Sequence, residues 1–214
     1  MTLAAFLGAL AALAAVVVAG LVVADAATAT DFSMKNLAPS FAHPFGTDWM
    51  GRDMFVRTIT GLSLSIRIGI LTAAVSAVIA CFMGTAAACL GKAADGIVAA
   101  DAAVTWLIDL MLGIPHIVLL ILISFALGKG FWGVTIGVAV THWPSLARVV
   151  RAEILQCKQS AFVAAARKLG QGPASIAAKH MMPYVLPQFL VGLILLFPHA
   201  ILHEAAVTFL GFGL

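Results

Sequence analysis

Histidine aside, five stretches of the chain carry no ionisable charge: residues 1–24, 68–91, 110–128, 130–147 and 180–203. Each is apolar along its length and reaches or approaches the ~20 residues a helix needs to cross the ~30 Å hydrocarbon core of a bilayer. The strict alternation over ~10 residues that marks a barrel strand is missing. The pattern predicts an all-α membrane protein, a polytopic transmembrane helical bundle with five spans. Residues 1–24 form the first transmembrane helix, 25–67 a segment outside the membrane, and 68–214 the main transmembrane domain. The first run has a rival reading, because Ala24-Asp25-Ala26 resembles the cleavage site of a signal peptide. It lacks a basic leader and is longer than a typical signal core, which favours a retained helix.

Polar positions mark the breaks. In Gly46-Thr47-Asp48, Thr47 and Asp48 are good N-cap residues. The stretch that follows mixes apolar residues with Arg52, Arg57 and Arg67. Two readings fit it about equally. One is an interfacial helix whose arginines snorkel to the headgroups; the other is the polar start of the second span. Residues 162–169 are rich in the best helix formers, Gly170 can end that helix in a left-handed cap, and Pro173 suits the first turn of another. A helix, an elbow and a second helix running toward Pro183 are expected. By itself this reads as a solvated basic loop or as a docking element for a soluble partner.

Composition strengthens the membrane reading. The chain is 63% hydrophobic and 10% charged, against roughly 25% charged for soluble domains. Of its twelve Lys and Arg, six fall within 148–179: Arg148, Arg151, Lys158, Arg167, Lys168 and Lys179. Short loops rich in Lys and Arg stay cytoplasmic. The loop between the fourth and fifth spans is therefore expected inside. Counting back puts 25–67 outside, the Gly91–Gly96 turn inside, Gly128–Gly130 outside and the N-terminus inside; Arg52, Arg57 and Arg67 run against this rule. The C-terminus then emerges outside at Gly211–Leu214, directly after an apolar stretch, and a sixth span is expected to be missing. The three cysteines, Cys81, Cys89 and Cys157, fit no metal spacing and read as small buried side chains.

Some residues inside the apolar runs carry chemistry. Asp109 stands at the edge of the third run, where a carboxylate costs too much to face lipid; packing or a cation partner is favoured over transport chemistry. Gly133 and Gly137 give a GxxxG spacing that lets helices approach closely, within the chain or against a second subunit. His199 and His203 share a helical face, with Glu204 beside them and Pro198 able to kink the helix. His142 and His116 lie in two other spans. A single intramembrane histidine is more often a satisfied core residue. Four in three apolar helices suggest a pathway, since polar groups there are costly, and imidazole suits nickel, copper and zinc. His199 and His203 are expected in the outer half of the membrane, His116 and His142 nearer its middle.

Motifs along most of the chain resemble one family. Ala165-Ala166, then Gly170, then Pro183 thirteen residues later is similar to the EAA loop of binding-protein-dependent ABC importers. His43–Asp53 (HPFGTDWMGRD) resembles the GTDxxGRD signature of the C-type permease of nickel, dipeptide and oligopeptide importers. Ile108–Pro115, Ala147–Leu155 and Thr208–Leu214 resemble further segments of that permease. The family's usual glutamate falls at Ala164. The resemblance implies a type I ABC importer permease in the cell membrane, with a coupling loop at 151–183 that seats Ala164, Ala165, Ala166, Gly170 and Pro183 against an ATPase subunit. It implies as partners a second homologous permease, two cytoplasmic ATPases, an extracytoplasmic binding protein and membrane lipid, with no nucleic acid. His142, His199 and His203 are candidates for the substrate path. "THW" and "HAILHEA" resemble the nickel branch, so chelated nickel is the expected cargo and a di- or oligopeptide the alternative. No phosphate loop is present, and no cofactor or resident metal is expected. The rivals are an intramembrane enzyme, which lacks its HExxH-type motif here, and an ion-coupled carrier, which typically shows inverted repeats.

Overall fold

The computed structural model describes residues 2–90 and 94–212, with side chains from 3 to 88 and from 102 to 212. The described residues are helical apart from loops, turns and one isolated bridge between Thr47 and Asp53. They form two compact units, 1–68 and 69–214. The helices are α1 (Thr2–Val22), α2 (Ala24–Thr28), α3 (Met54–Leu90), α4 (Ala94–Gly113), α5 (His116–Ala126), α6 (Gly130–Lys158), α7 (Ala161–Lys168), α8 (Pro173–Ile176) and α9 (Met182–Phe209). A π-helical turn, Ala177–Met181, joins α8 to α9. The expected turn at 91–96 lies partly outside the described residues, since α4 begins at Ala94.

In the first unit, α1 keeps its apolar side chains exposed, as a lipid-facing helix does. Its Gly20 meets α3 so closely that an added Cβ would stand 2.3 Å from Ser63 Cβ. Ser63 Oγ donates to Val17 O at 3.1 Å, tying the two helices with a side chain that lipid could not satisfy.

Of the two readings of the arginine-bearing stretch, the polar start of the second span fits: from Met54 on it is the opening of α3. Nothing between Met54 and Ile68 breaks the helix, and the 37 residues give it a length of about 55 Å. That exceeds the ~30 Å a span needs, so the arginine-bearing turns are the polar extension of a long helix. The cap differs too. Asp53 accepts from Phe55 N (2.8 Å) and Val56 N (3.1 Å) and caps α3, whereas Thr47 and Asp48 are engaged elsewhere.

The second unit is built around α6, which packs against α9, α5 and α4. Val134, Val138, Trp143, Leu146, Ala147, Val150 and Ile154 are all buried along it. Ser76 Oγ donates to Ala139 O (2.8 Å), and Gly84 lies so close that a Cβ would stand 2.6 Å from Ala147 O. Gly133 serves contact within the chain: its Cβ position is 2.9 Å from Ser124 O of α5. Asp109 finds its cation in Arg148 of α6 at 2.5 Å, with both side chains well exposed.

The spans differ from five uniform helices. Three described helical stretches are long and apolar enough to cross a membrane: 3–22, 54–88 and 173–209. The run expected at 110–128 is broken at Ile114–Pro115, and the helices on either side meet at 95°. Pro115 has no N–H to continue the ladder and disfavours a helical Ile114. The fourth run is one 29-residue helix, but Thr135, Thr141, His142 and Ser145 make its interior polar. A helix covered by three others does not need a lipid-compatible surface all round.

Candidate functional site

The break before α5 decides where His116 stands. As the first residue of α5, it faces His142 of α6 and His203 of α9, with ring centroids 4.5 and 4.6 Å apart and the rings nearly perpendicular. The His142 and His203 rings are 4.8 Å apart. One ring nitrogen from each of the three lies within 4.8 Å of the others. The expected separation into outer and middle pairs does not hold, because the α4–α5 break starts a new helix at the level of the other two. His199 sits beside the trio, 5.2 Å from the His203 ring and 6.1 Å from that of His142, and is exposed.

Backbone contacts orient these rings. His142 Nδ1 donates to Val138 O at 2.8 Å, which leaves Nε2 as a lone pair. His203 Nδ1 lies 2.9 Å from His199 O and 3.4 Å from His142 Nε2. His116 Nε2 is buried and has no hydrogen-bond partner. The trio opens on a cavity of about 480 Å³ whose other walls include Leu112, Thr141, Ser145, Leu196 and His199. That volume is in the ~300–1,000 Å³ range of small-molecule sites. Sequence reasoning leaves His116 out of the path, because its only signal there is its place directly after Pro115.

The basic loop folds as helix, elbow and helix. In α7, Val163 and Ala166 are buried while Ala164 and Ala165 face outward. Gly170 takes φ +77°, and Gln171 N–H reaches back over it to Ala166 O at 3.1 Å. This is the six-to-one bond of a Schellman cap. Around the elbow, Leu169 (80% exposed), Phe162 and Met182 present apolar surface beside Arg167 and Lys168. Pro183 is exposed at the start of α9.

The 43–57 segment is a knot of charge pairs. Asp48 takes Arg52 at 2.7 Å and Arg57 at 2.9 Å, and also accepts from Met50 N and Arg52 N. Partial desolvation raises its pKa, but the bonds from Arg52 and Met50 outweigh that and hold it at about 2. Asp53 pairs with His43 at 2.8 Å. Desolvation again opposes, and the His43 and backbone bonds lower its pKa. Thr47 Oγ1 donates to Met34 O and accepts from Leu37 N. Arg52 and Arg57 are thus paired rather than spread toward headgroups.

Apolar helices packed on a polar-lined α6, with a cavity beside it, and helical stretches long and apolar enough to cross a membrane define a polytopic helical membrane protein. Residues 93–214 match the family described as the binding-protein-dependent transport system inner membrane component, and the chain belongs to it. It is 33% identical over 183 residues to a putative peptide permease protein of Brucella abortus, covering 86% of this chain and 59% of that one. With the oligopeptide transport system permease protein of Bacillus subtilis it shares 35% identity (86% and 60%), and with the dipeptide transport system permease protein of the same organism 32% (84% and 54%). The chain thus spans between about half and three-fifths of the length of these relatives.

Proposed function

We propose that the chain is one of two membrane subunits of an ATP-driven importer and that its cargo is a di- or oligopeptide. One observation carries the cargo reading: the relatives matching 84–86% of the chain are named as peptide, oligopeptide and dipeptide permeases. In this reading a binding protein delivers cargo to the outer face, the cavity beside α6 forms part of the path, and two cytoplasmic ATPases drive the change of access. The exposed elbow of α7 and α8 is the surface that seats an ATPase, through Ala164, Ala165, Leu169 and Gly170. Ala166 supports it from below and Pro183 ends it. His142, His199 and His203 line the path.

Uptake of a radiolabelled dipeptide by cells lacking this chain tests the proposal. Uptake should be lost, return with the chain, and disappear again without the ATPases. Unchanged uptake in either deletion would sink it. Chelated nickel is the second reading, favoured by the histidines that line the cavity. Competition by chelated nickel but not by dipeptides would move the cargo there.

A further inference from the structure

We infer that His116, His142 and His203 form a binding site for a late first-row divalent metal ion, reached from the cavity beside α6. That the cavity belongs to a transport path rests on the importer reading; the metal binding itself does not.

Three observations converge on the site. First, three imidazoles from three helices come together, one ring nitrogen of each within 4.8 Å of the others. A tetrahedral ion with ~2.1 Å bonds sets its ligands about 3.4 Å apart. His142 Nε2 and His203 Nδ1 already stand at 3.4 Å, so rotamer-scale adjustment of His116 closes the set. Second, the protonation pattern suits a ligand set. His142 donates Nδ1–H to Val138 O, the outer contact that commonly orients a metal-bound histidine and leaves Nε2 free. His203 Nδ1 donates to the His199 carbonyl at 2.9 Å, so ligation through Nδ1 requires His203 to give up that bond and move its proton to Nε2. Third, His116 Nε2 is buried without a partner. Such an atom normally costs about 1–3 kcal/mol, and a bound ion would satisfy it.

The donor set selects the ion class. Three neutral imidazoles suit nickel, copper, zinc and cobalt, whereas magnesium and calcium prefer oxygen. No carboxylate belongs to the trio, and three ligands leave coordination positions open toward the cavity. Water or donor atoms of a chelating molecule can fill them. An incomplete shell also lets the ion exchange with the cavity.

The assembled transporter, purified without a histidine tag, is titrated with cobalt(II) alone. One equivalent per chain should bind with the intense visible absorption of a tetrahedral site. His142→Gln and His116→Gln should each weaken binding by about tenfold or more, while His180→Ala, in the basic loop beside Gln171, should leave it unchanged. Equal binding in wild type and His142→Gln would overturn the assignment. X-ray absorption of the nickel-loaded wild type decides the matter even where a variant fails to assemble: scattering from two or three imidazoles is expected, and none or one overturns the site. Peptide uptake is measured separately. Metal binding without peptide uptake would remove the cargo reading alone, and peptide uptake without metal binding would remove this site alone.

Discussion

At the scale of single residues, close backbone approach sets an order of sensitivity. An alanine at Gly84 would place Cβ 2.6 Å from Ala147 O, one at Gly133 would stand 2.9 Å from Ser124 O, and one at Gly137 meets nothing nearer than 3.5 Å. Backbone carbonyls cannot move aside as a flexible side chain can. Gly84→Ala should cost about 1–3 kcal/mol, Gly133→Ala somewhat less, and Gly137→Ala close to nothing; thermal unfolding in detergent gives the ranking. A reversed order would mean the helices are spaced differently. Asp48 makes a prediction in pH. Its folded pKa of about 2 lies below the ordinary 3.8, so its contribution is complete above pH 3.8 and is lost as the pH falls through 2. Hydrogen exchange at the Met50 and Arg52 amides should rise in that window, and Asp48→Asn should show fast exchange there already at neutral pH. Residue types in the sequence said that this segment would be capped and charged. They did not say which side chain would cap. Thr47, Asp48 and Asp53 all qualify by type, and the choice depends on Arg57 folding back nine positions to Asp48, a contact that local propensity does not contain.

At the scale of elements, the elbow of the basic loop was legible because its signals are local. Alanines build α7, glycine accepts positive φ, and proline starts α8. Gly170→Val should disturb the elbow by about 1–2 kcal/mol through its left-handed backbone alone, since open space surrounds the Cβ position. On the coupling proposal, Gly170→Val lowers peptide uptake severalfold with the protein still in the membrane, and Gly170→Asn, which tolerates this conformation, keeps most of it. Equal uptake by both variants and wild type would remove the elbow from the coupling step. The α4–α5 break was legible only in part. Pro115 announced an interruption, but the 95° angle comes from packing of α5 on α6, a nonlocal contact. The meeting of the three histidines depends on that angle, so their convergence could not be read from spacing. His199 and His203 share a helical face by their i, i+4 spacing, yet only His203 joins the trio.

At the scale of the whole molecule, the described residues supply few spans. Three helical stretches qualify outright, and the bent α4–α5 pair makes a fourth at most by length and composition. The cavity beside α6 is correspondingly open on one side, where His199 is exposed. On the importer proposal, a second membrane subunit closes it. Native mass spectrometry of the transporter extracted from its host should find one copy of this chain with one copy of a related permease and two ATPases. An active complex containing this chain as its sole membrane subunit would refute that stoichiometry. The membrane setting and helical class were plain from charge-free runs alone. The number and straightness of the spans were not, because α6 trades lipid-compatible surface for buried contacts with its neighbours.

That trade has a consequence for biogenesis. With Thr135, Thr141, His142, Pro144 and Ser145 in its middle, α6 is a poor candidate to leave the insertion channel for lipid by itself. The helix before it, α5, is apolar apart from His116 and Ser124 but has only 11 residues, about 16 Å of length. Neither spans comfortably alone. The connection between them, residues 127–129, runs through left-handed backbone at Gly128 and Lys129 into Gly130, and Gly133 lets the two helices touch within a turn of it. The pair is therefore expected to enter the bilayer as a hairpin, with α5 against α6 from the start. In a glycosylation-mapping assay, α6 fused alone to a reporter should insert poorly, and the α5–α6 hairpin well. Lengthening the connection by several glycines should bring the hairpin back toward the behaviour of α6 alone.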